Sequence, residues 1–438
     1  MPADDRSRDL YARAVELLPG GVNSPVRAMR SIGRDPIFVA AGEGAELTDV
    51  DGNRYLDYVC SWGPLIAGHA HPRVIEAVTA AAARGTSFGA PTAAEVEIAA
   101  EIVARVPGAE MVRMVSSGTE AAMSAVRLAR AVTGREKLLK FAGAYHGHVD
   151  GLLADAGSGL ATAGIPASPG VPAAQAAATI VVPWNDRGAV EAALAEHEVA
   201  AILAEPYPAN MGLVPPAGAS GAEGGSTGEP FLPFLREQAD SSGALLVFDE
   251  VISGFRVARG GAQEREGVTP DLTVLGKVVG GGLPAAAYAG RRDLMERVAP
   301  AGDVYQAGTL SGNPLATAAG LATLELLDDG AYERLDAIAT ELASGLRAAA
   351  AAAGVAVSVT SAPGLLTLFF AEGPVEDYEA AKACDLDAFA RFCRAMLDRG
   401  VYLPASQFEA WFPSLAHTDE QLERTLAAAA ESLREVAR

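Results

Sequence analysis

Asp271-Leu-Thr-Val-Leu-Gly-Lys277-Val-Val-Gly-Gly-Gly282 puts one lysine at the end of a β-rich apolar run, with three glycines close behind it. A lysine that follows a buried strand loses water. Desolvation favours its neutral form, and a neutral amine is a nucleophile. The glycines let the backbone turn sharply and let a flat ligand come close. From this window alone, a surface lysine snorkelling past the strand end reads equally well.

A second stretch, Ala244-Leu-Leu-Val-Phe-Asp249-Glu250-Val251, is another apolar run, and it ends in two carboxylates. In a parallel sheet both strand ends open on the same edge, where ligands bind. A lysine amine and a buried aspartate on one edge suit pyridoxal phosphate. The lysine would bond the aldehyde carbon. The aspartate would keep the pyridine nitrogen protonated, so that the ring accepts electrons. Opposite charges about 4 Å apart attract by roughly 4 kcal/mol at an effective dielectric of about 20. That biases the ring toward its protonated form by about a thousandfold.

The chain has 438 residues, 50% of them hydrophobic, which fits a globular protein of two or three domains. Lys+Arg number 34 against 55 Asp+Glu, for a net charge of -21. Without basic runs, neither nucleic acid nor an anionic membrane is expected as a partner. Any anionic ligand must be held locally, by a few placed arginines or helix N-termini. Cys60, Cys384 and Cys393 show no zinc spacing and suit a reducing cytosol, so a cytoplasmic location is expected. The charged stretch Asp4, Asp5, Arg6, Arg8, Asp9 does not read as a signal peptide. No apolar run approaches the roughly 20 residues that span a bilayer.

Three parts are expected: an N-terminal segment 1–64, a large cofactor-binding domain 65–315 and a smaller α+β domain 316–438. In the first, residues 8–18 read as an amphipathic helix that stops at Pro19-Gly20-Gly21. The loop after it, Val22-Asn-Ser24-Pro25-Val26-Arg27, carries one hydroxyl and one guanidinium and reads equally as a plain solvated loop. Asp51-Gly-Asn53 marks a hairpin turn, and Ser61-Trp62-Gly63-Pro64 follows its second arm.

From residue 65 helices and strands alternate. The strand 112–115 runs into Ser116-Ser117-Gly118-Thr119-Glu120, where Ser117 and Glu120 have capping-box spacing. That turn suits a phosphate through its free N–H groups and positive dipole end, and as a bare motif it reads equally as a helix cap. After strand 137–141 come Tyr145-His146-Gly-His148. Tyr145 could stack on a flat cofactor. The H-x-H pairs here and at His69–His71 lack a third ligand, so no metal is expected. Residues 151–176, with Gly157-Ser158-Gly159, read as either a lid or an irregular stretch. Strand 200–204 ends in Glu205-Pro-Tyr207-Pro-Ala-Asn210, and the Gly/Ser-rich insert 217–229 is expected at the surface, without catalytic duty. Tyr305-Gln-Ala-Gly-Thr309-Leu-Ser-Gly-Asn-Pro314 opens a long helical linker over 314–353. Strands near 355–360 and 365–370, helices 386–398 and 418–437, and the loop Ser406-Gln-Phe-Glu409 complete the chain.

In sequence order, Gly20-Gly-Val-Asn-Ser-Pro-Val-Arg27, Cys60-Ser-Trp-Gly-Pro64, Ser116-Ser-Gly-Thr-Glu120, Tyr145-His-Gly-His-Val-Asp150, Asn210-Met-Gly212, Asp249-Glu-Val251, Gly276-Lys277 and Ala307-Gly-Thr-Leu-Ser-Gly-Asn-Pro314 fit one pattern. Through them the chain resembles the glutamate-1-semialdehyde 2,1-aminomutases, a branch of the class III aminotransferases, over nearly its whole length. The resemblance implies an α/β architecture of pyridoxal-phosphate fold type I: a large domain with a mostly parallel seven-stranded sheet, plus the smaller α+β domain.

It also implies roles. Lys277 would carry the cofactor and shuttle protons between the substrate carbon and the cofactor's C4′. Asp249 would pair with the pyridine nitrogen, with Val251 against one ring face and Tyr145 on the other. Ser117, Gly118 and Thr119 would bind the phosphate, and Thr309 would reach it from the partner subunit of a homodimer. Glu205 and Asn210 would support the ring pocket. Ser24, Arg27, Trp62, Ser158 and Glu409 match substrate-side positions. Arg27 would take the distal carboxylate. Glu409 would repel a second carboxylate where ordinary aminotransferases of the class keep an arginine.

The implied reaction moves an amine between neighbouring carbons of glutamate-1-semialdehyde, through a diaminovalerate intermediate, to give 5-aminolevulinate for tetrapyrroles. It would use pyridoxal 5'-phosphate cycling with pyridoxamine 5'-phosphate, and the 151–176 stretch would act as a lid. The alternatives are an ω-aminotransferase on the same scaffold and an inactive cofactor-binding protein. The chain departs from the pattern at Tyr207-Pro208-Ala209, Leu403-Pro404-Ala405, Trp411 and the insert. Trp411, two residues past Glu409, is expected to bear on substrate preference.

Overall fold

The computed structural model describes residues 4–154, 168–226 and 228–438. After an opening helix Asp5–Leu17, the chain forms β1 (Val39–Glu43), β2 (Glu46–Asp49) and β3 (Arg54–Asp57). Asp49 ties the β2–β3 hairpin: its carboxylate accepts from the amides of Asp51 and Asn53 at 3.0 and 2.8 Å and from the Tyr55 hydroxyl at 2.9 Å. The same sheet then takes up β13 (Val401–Tyr402), parallel to β3. The N-terminal strands are thus completed by residues from the far end of the chain.

The seven-stranded sheet comprises β4 (Met111–Val115), β5 (Lys137–Phe141), β6 (Thr179–Val182), β7 (Val199–Ala204), β8 (Leu245–Glu250), β9 (Leu272–Leu275) and β10 (Ala286–Gly290), in the order β4-β10-β9-β8-β7-β5-β6. It is mostly parallel, as the resemblance implies, with β10 antiparallel to β4 and β9. Its central strands are apolar on both faces because both are covered. Alternate residues go to opposite layers. Leu246 and Phe248 of β8 join Trp184, Phe231 and Leu235 on one side. Val247 joins Ala121, Ala125 and Leu128 of helix Gly118–Thr133 on the other.

Two expectations about secondary structure need correction. The linker 314–353 is two helices, Pro314–Leu324 and Asp329–Ala353. Asp328 starts the second one by accepting from the Ala331 amide at 2.9 Å. A capping aspartate reopens the helix there, and Asp328-Asp329-Gly330 was the turn signal in the sequence. The strand expected near 355–360 begins later, as β11 (Ser358–Ala362), which pairs with β12 (Leu365–Phe369).

The described residues of the insert lie at the surface, as expected, and its first half is tied down at several points. The Ala217 amide donates to Asn185 at 2.8 Å. Ser220 donates its amide to Glu266, whose carboxylate also receives the Tyr207 hydroxyl. Glu223 pairs with Ser361 as an isolated antiparallel bridge and accepts from Arg347 at 2.7 Å.

Trp411 is 1% exposed and belongs to the core built by the C-terminal helices, not to the ligand cavity. Its ring centroid lies 5.7 Å from that of Tyr58, and its backbone pairs with Leu366. The expectation that it shapes substrate preference is therefore corrected: it packs. Trp411→Ala is expected to cost about 3–5 kcal/mol of unfolding free energy while leaving KM within about twofold, read by denaturant titration alongside steady-state kinetics.

Candidate active site

The parallel strands deliver their C-terminal ends to one edge, and a cavity of about 370 Å³ opens there. Its walls include Ser117, Gly118 and Thr119 after β4, Tyr145 after β5, Glu205 and Asn210 after β7, Asp249 and Val251 at the end of β8, and Lys277 after β9. All the residues expected to hold the cofactor are gathered here except Thr309. That residue is exposed, in a loop outside the cavity wall.

Lys277 lies just past β9 with φ 49, in the left-handed region, so its side chain leaves the strand line and enters the cavity. Burial lowers its pKa, opposed by the negative charges of Asp249, Glu205 and Glu409. A lowered amine pKa is what a nucleophilic lysine needs.

Asp249 is 5% exposed. One carboxylate oxygen meets His146 Nδ1 at 2.8 Å, and the other accepts the Val251 amide at 3.1 Å. These bonds fix the direction in which the charge faces the cavity. Glu205 is oriented in the same way: it accepts from the Tyr145 amide at 2.7 Å, from Asn210 Nδ2 at 2.9 Å and from the Ala209 amide at 3.2 Å. Burial raises its pKa.

The 116–120 turn has the expected capping box. Glu120 accepts from the amides of Ser116 and Ser117 at 2.7 and 3.0 Å, and Ser117 Oγ accepts from the Glu120 amide at 3.2 Å. The amides of the first helical turn thus face the cavity at the positive end of a sixteen-residue helix, suited to an anion. Val251 sits between two glycines. A Cβ at Gly118 or at Gly276 would stand 3.2 Å from its methyls, so a side chain at either position would press on Val251.

A lysine, an oriented carboxylate, an apolar wall and a helix N-terminus are the donor set that pyridoxal phosphate requires, and these residues fit it.

The substrate-side residues are less gathered. Glu409, half-buried, acts electrostatically on both Lys277 and Tyr145. Trp62 lies in the left-handed loop that leads to Pro64 on the cavity wall. Ser24 precedes and Arg27 lies within the turn Pro25–Ala28, where the Arg27 amide donates to the Ser24 carbonyl at 3.2 Å. Arg27 is exposed and is felt by Tyr402. Ser158, with residues 155–167 of the expected lid, lies outside the described residues.

Sequence reading missed His146, weighed only as a metal ligand. Its place beside Tyr145 at the end of β5 was the available signal, since β5 and β8 flank β7 in the sheet. It also missed Arg256 and Phe412, which come together only in the folded chain.

The comparisons agree with this geometry. The family described as Aminotransferase class-III matches residues 29–433. The chain is 59% identical over 435 residues to the glutamate-1-semialdehyde 2,1-aminomutase of Roseiflexus castenholzii, covering 98% of each chain. Among solved structures it is similar to an omega-transaminase from Sphaerobacter thermophilus, with a TM-score of 0.88, 32% identity and coverage of 98% and 97%. It is also similar to a transaminase with PLP bound, with a TM-score of 0.87, 36% identity and coverage of 99% and 98%. The chain therefore belongs to the class-III aminotransferase family, in its glutamate-1-semialdehyde 2,1-aminomutase branch.

Proposed function

We propose that this protein is an isomerase that converts glutamate-1-semialdehyde to 5-aminolevulinate in tetrapyrrole (porphyrin) biosynthesis. The observation that carries the reading is the 59% identity to an aminomutase along 98% of both chains, joined to a cavity that holds Lys277 and an oriented Asp249.

Bound in this cavity, pyridoxal 5'-phosphate supplies an electron sink and, cycling with pyridoxamine 5'-phosphate, a store for one amine. The chain supplies the rest. Asp249, steadied by His146 and the Val251 amide, holds a proton on the ring nitrogen. Lys277 Nζ moves protons to and from the substrate carbons, with an amine whose basicity is reduced by burial. Ser117, Gly118 and Thr119 hold the phosphate. Tyr145 and Val251, both on the cavity wall, would hold the ring. Arg27 takes the distal carboxylate, and Ser24, Trp62 and Ser158 complete the substrate side. Glu409 discriminates against a second carboxylate at the reacting end, because a like charge there is repelled. No atom is gained or lost: an amine leaves one carbon of the substrate and arrives at its neighbour.

The protein acts as a cytoplasmic homodimer in this reading, with Thr309 reaching the partner's cofactor phosphate. The exposure of Tyr305 (72%) and Leu310 (53%) beside Thr309 supports it. None of the described helices is long and apolar enough to cross a membrane.

The likeness to an omega-transaminase favours one rival, amine exchange between two different substrates. Glutamate-1-semialdehyde given alone separates the two. The aminomutase makes 5-aminolevulinate over many turnovers without an added amino acceptor. An ω-aminotransferase stops after about one equivalent of cofactor has reacted, and that result would overturn the assignment.

A further inference from the structure

Arg256 is 0% exposed, and among the described residues its guanidinium meets no carboxylate. A buried charge needs compensation. Here it comes from three backbone carbonyls of three distant segments. Nη1 donates to Gly364 at 3.0 Å and to Pro413 at 3.3 Å, and Nη2 donates to Gly63. The ring of Phe412 lies 5.3 Å from the guanidinium carbon.

Gly63 closes a strained loop. Cys60, Ser61 and Trp62 have φ of 44, 58 and 68, and Gly63 has φ 112. Consecutive non-glycine residues in the left-handed region persist only when their surroundings hold them. At the entrance the Asp57 carboxylate accepts the amides of Val59 and Cys60 at 2.8 and 3.1 Å. At the exit the hold is Arg256. The product of that hold is a wall: a Cβ on Gly63 would stand 3.1 Å from Lys277 Cδ and 3.0 Å from the Phe412 ring. The lysine stem therefore runs against the backbone of this loop.

We infer that Arg256 is a positioning residue for Lys277, pinning the Gly63 carbonyl so that the 60–63 loop fixes the direction of the lysine amine. The inference rests on the reading of Lys277 as the cofactor lysine. Arg256 touches neither substrate nor cofactor and acts through the loop. Its charge also opposes protonation of the lysine, against Asp249, Glu205 and Glu409, which favour it.

Arg256→Lys keeps the charge but loses the fork, Arg256→Gln loses both, and Gly63→Ala pushes on the lysine stem with the arginine intact. Each is loaded with pyridoxal 5'-phosphate. Thermal melting, the pH midpoint of the holoprotein's visible absorbance without substrate, and kcat and KM on the semialdehyde are then measured. Folded variants are expected to lose about 10- to 100-fold in kcat with KM within about threefold, as a displacement of order 1 Å at a reacting group does. The absorbance midpoint is expected to move by about half a pH unit or more, upward in Arg256→Gln because a nearby cation is gone. Melting changes alone, with midpoint and kcat as in the parent, overturn the inference. Should neither Arg256 variant fold, Gly63→Ala decides by the same readouts, and a parental midpoint there also overturns it. Borohydride reduction of the parent holoprotein with peptide mapping keeps the two questions apart. An unlabelled residue 277 sinks the functional reading, whereas a labelled one with unchanged variants sinks only the role of Arg256.

Discussion

Lys277→Ala is expected to fold, to retain pyridoxal phosphate through the phosphate turn and Asp249, and to lose about 10⁴-fold in kcat on glutamate-1-semialdehyde. The size follows from geometry. Lys277 Nζ is the amine that the chain brings into the cavity at the end of β9, and burial lowers its pKa. Two functions leave with it, covalent attachment and proton movement at the substrate carbons. Positioned acid–base catalysis alone contributes about 10²–10⁴-fold. Melting should change little, because removing a partly desolvated amine relieves a cost. The check is single-turnover and steady-state assay of purified variant holoprotein. A rate within tenfold of the parent would remove Lys277 from the chemistry, and with it the account of the site.

Asp249→Asn should fall next in size, about 10²–10³-fold in kcat. The carboxylate's value is its charge, worth roughly 4 kcal/mol at about 4 Å and an effective dielectric of about 20, the equivalent of about a thousandfold in rate if all of it were lost. Asparagine keeps the shape and can still accept from His146, but its NH₂ then faces the Val251 amide, donor against donor. One buried bond is therefore lost as well, at a cost of about 1–3 kcal/mol in stability. A pyridoxal phosphate analogue methylated on the ring nitrogen carries its positive charge permanently. It should recover a large part of the rate in the variant and little in the parent. Failure of the analogue to rescue, in a variant that binds it, would show that the charge is not what Asp249 provides.

The two residues that matter most were readable because each ends an apolar run with a group that such runs do not otherwise carry. β8 and β9 are buried on both faces, so Asp249 and Lys277 stand out against Leu-Val-Phe and Leu-Thr-Val-Leu. β10 was not readable. Ala286-Ala-Tyr-Ala-Gly290 has weak strand propensity, and it is a strand because β4 and β9 both pair with it. The helix break at 325–328 was legible but passed over: Asp328-Asp329-Gly330 joins a capping residue to a glycine inside an otherwise helical pattern. The supports of the site were the least visible. His146 is joined to Asp249 across β7, and Arg256 gathers carbonyls from residues 63, 364 and 413. Such meetings depend on sheet order and domain packing, which local patterning does not encode.

Tyr207 and the 217–229 insert look like separate departures when the chain is read as a string. Through Glu266 they are one joint: the carboxylate takes the tyrosine hydroxyl on one side and the Ser220 amide on the other, and Arg265 spans from the Tyr207 hydroxyl to the Ser220 carbonyl. Either half without the other leaves the Glu266 carboxylate and the Arg265 guanidinium each short of one partner, so lineages should acquire and discard the two together. A graft that moved the loop into a sibling enzyme without its tyrosine would arrive incomplete.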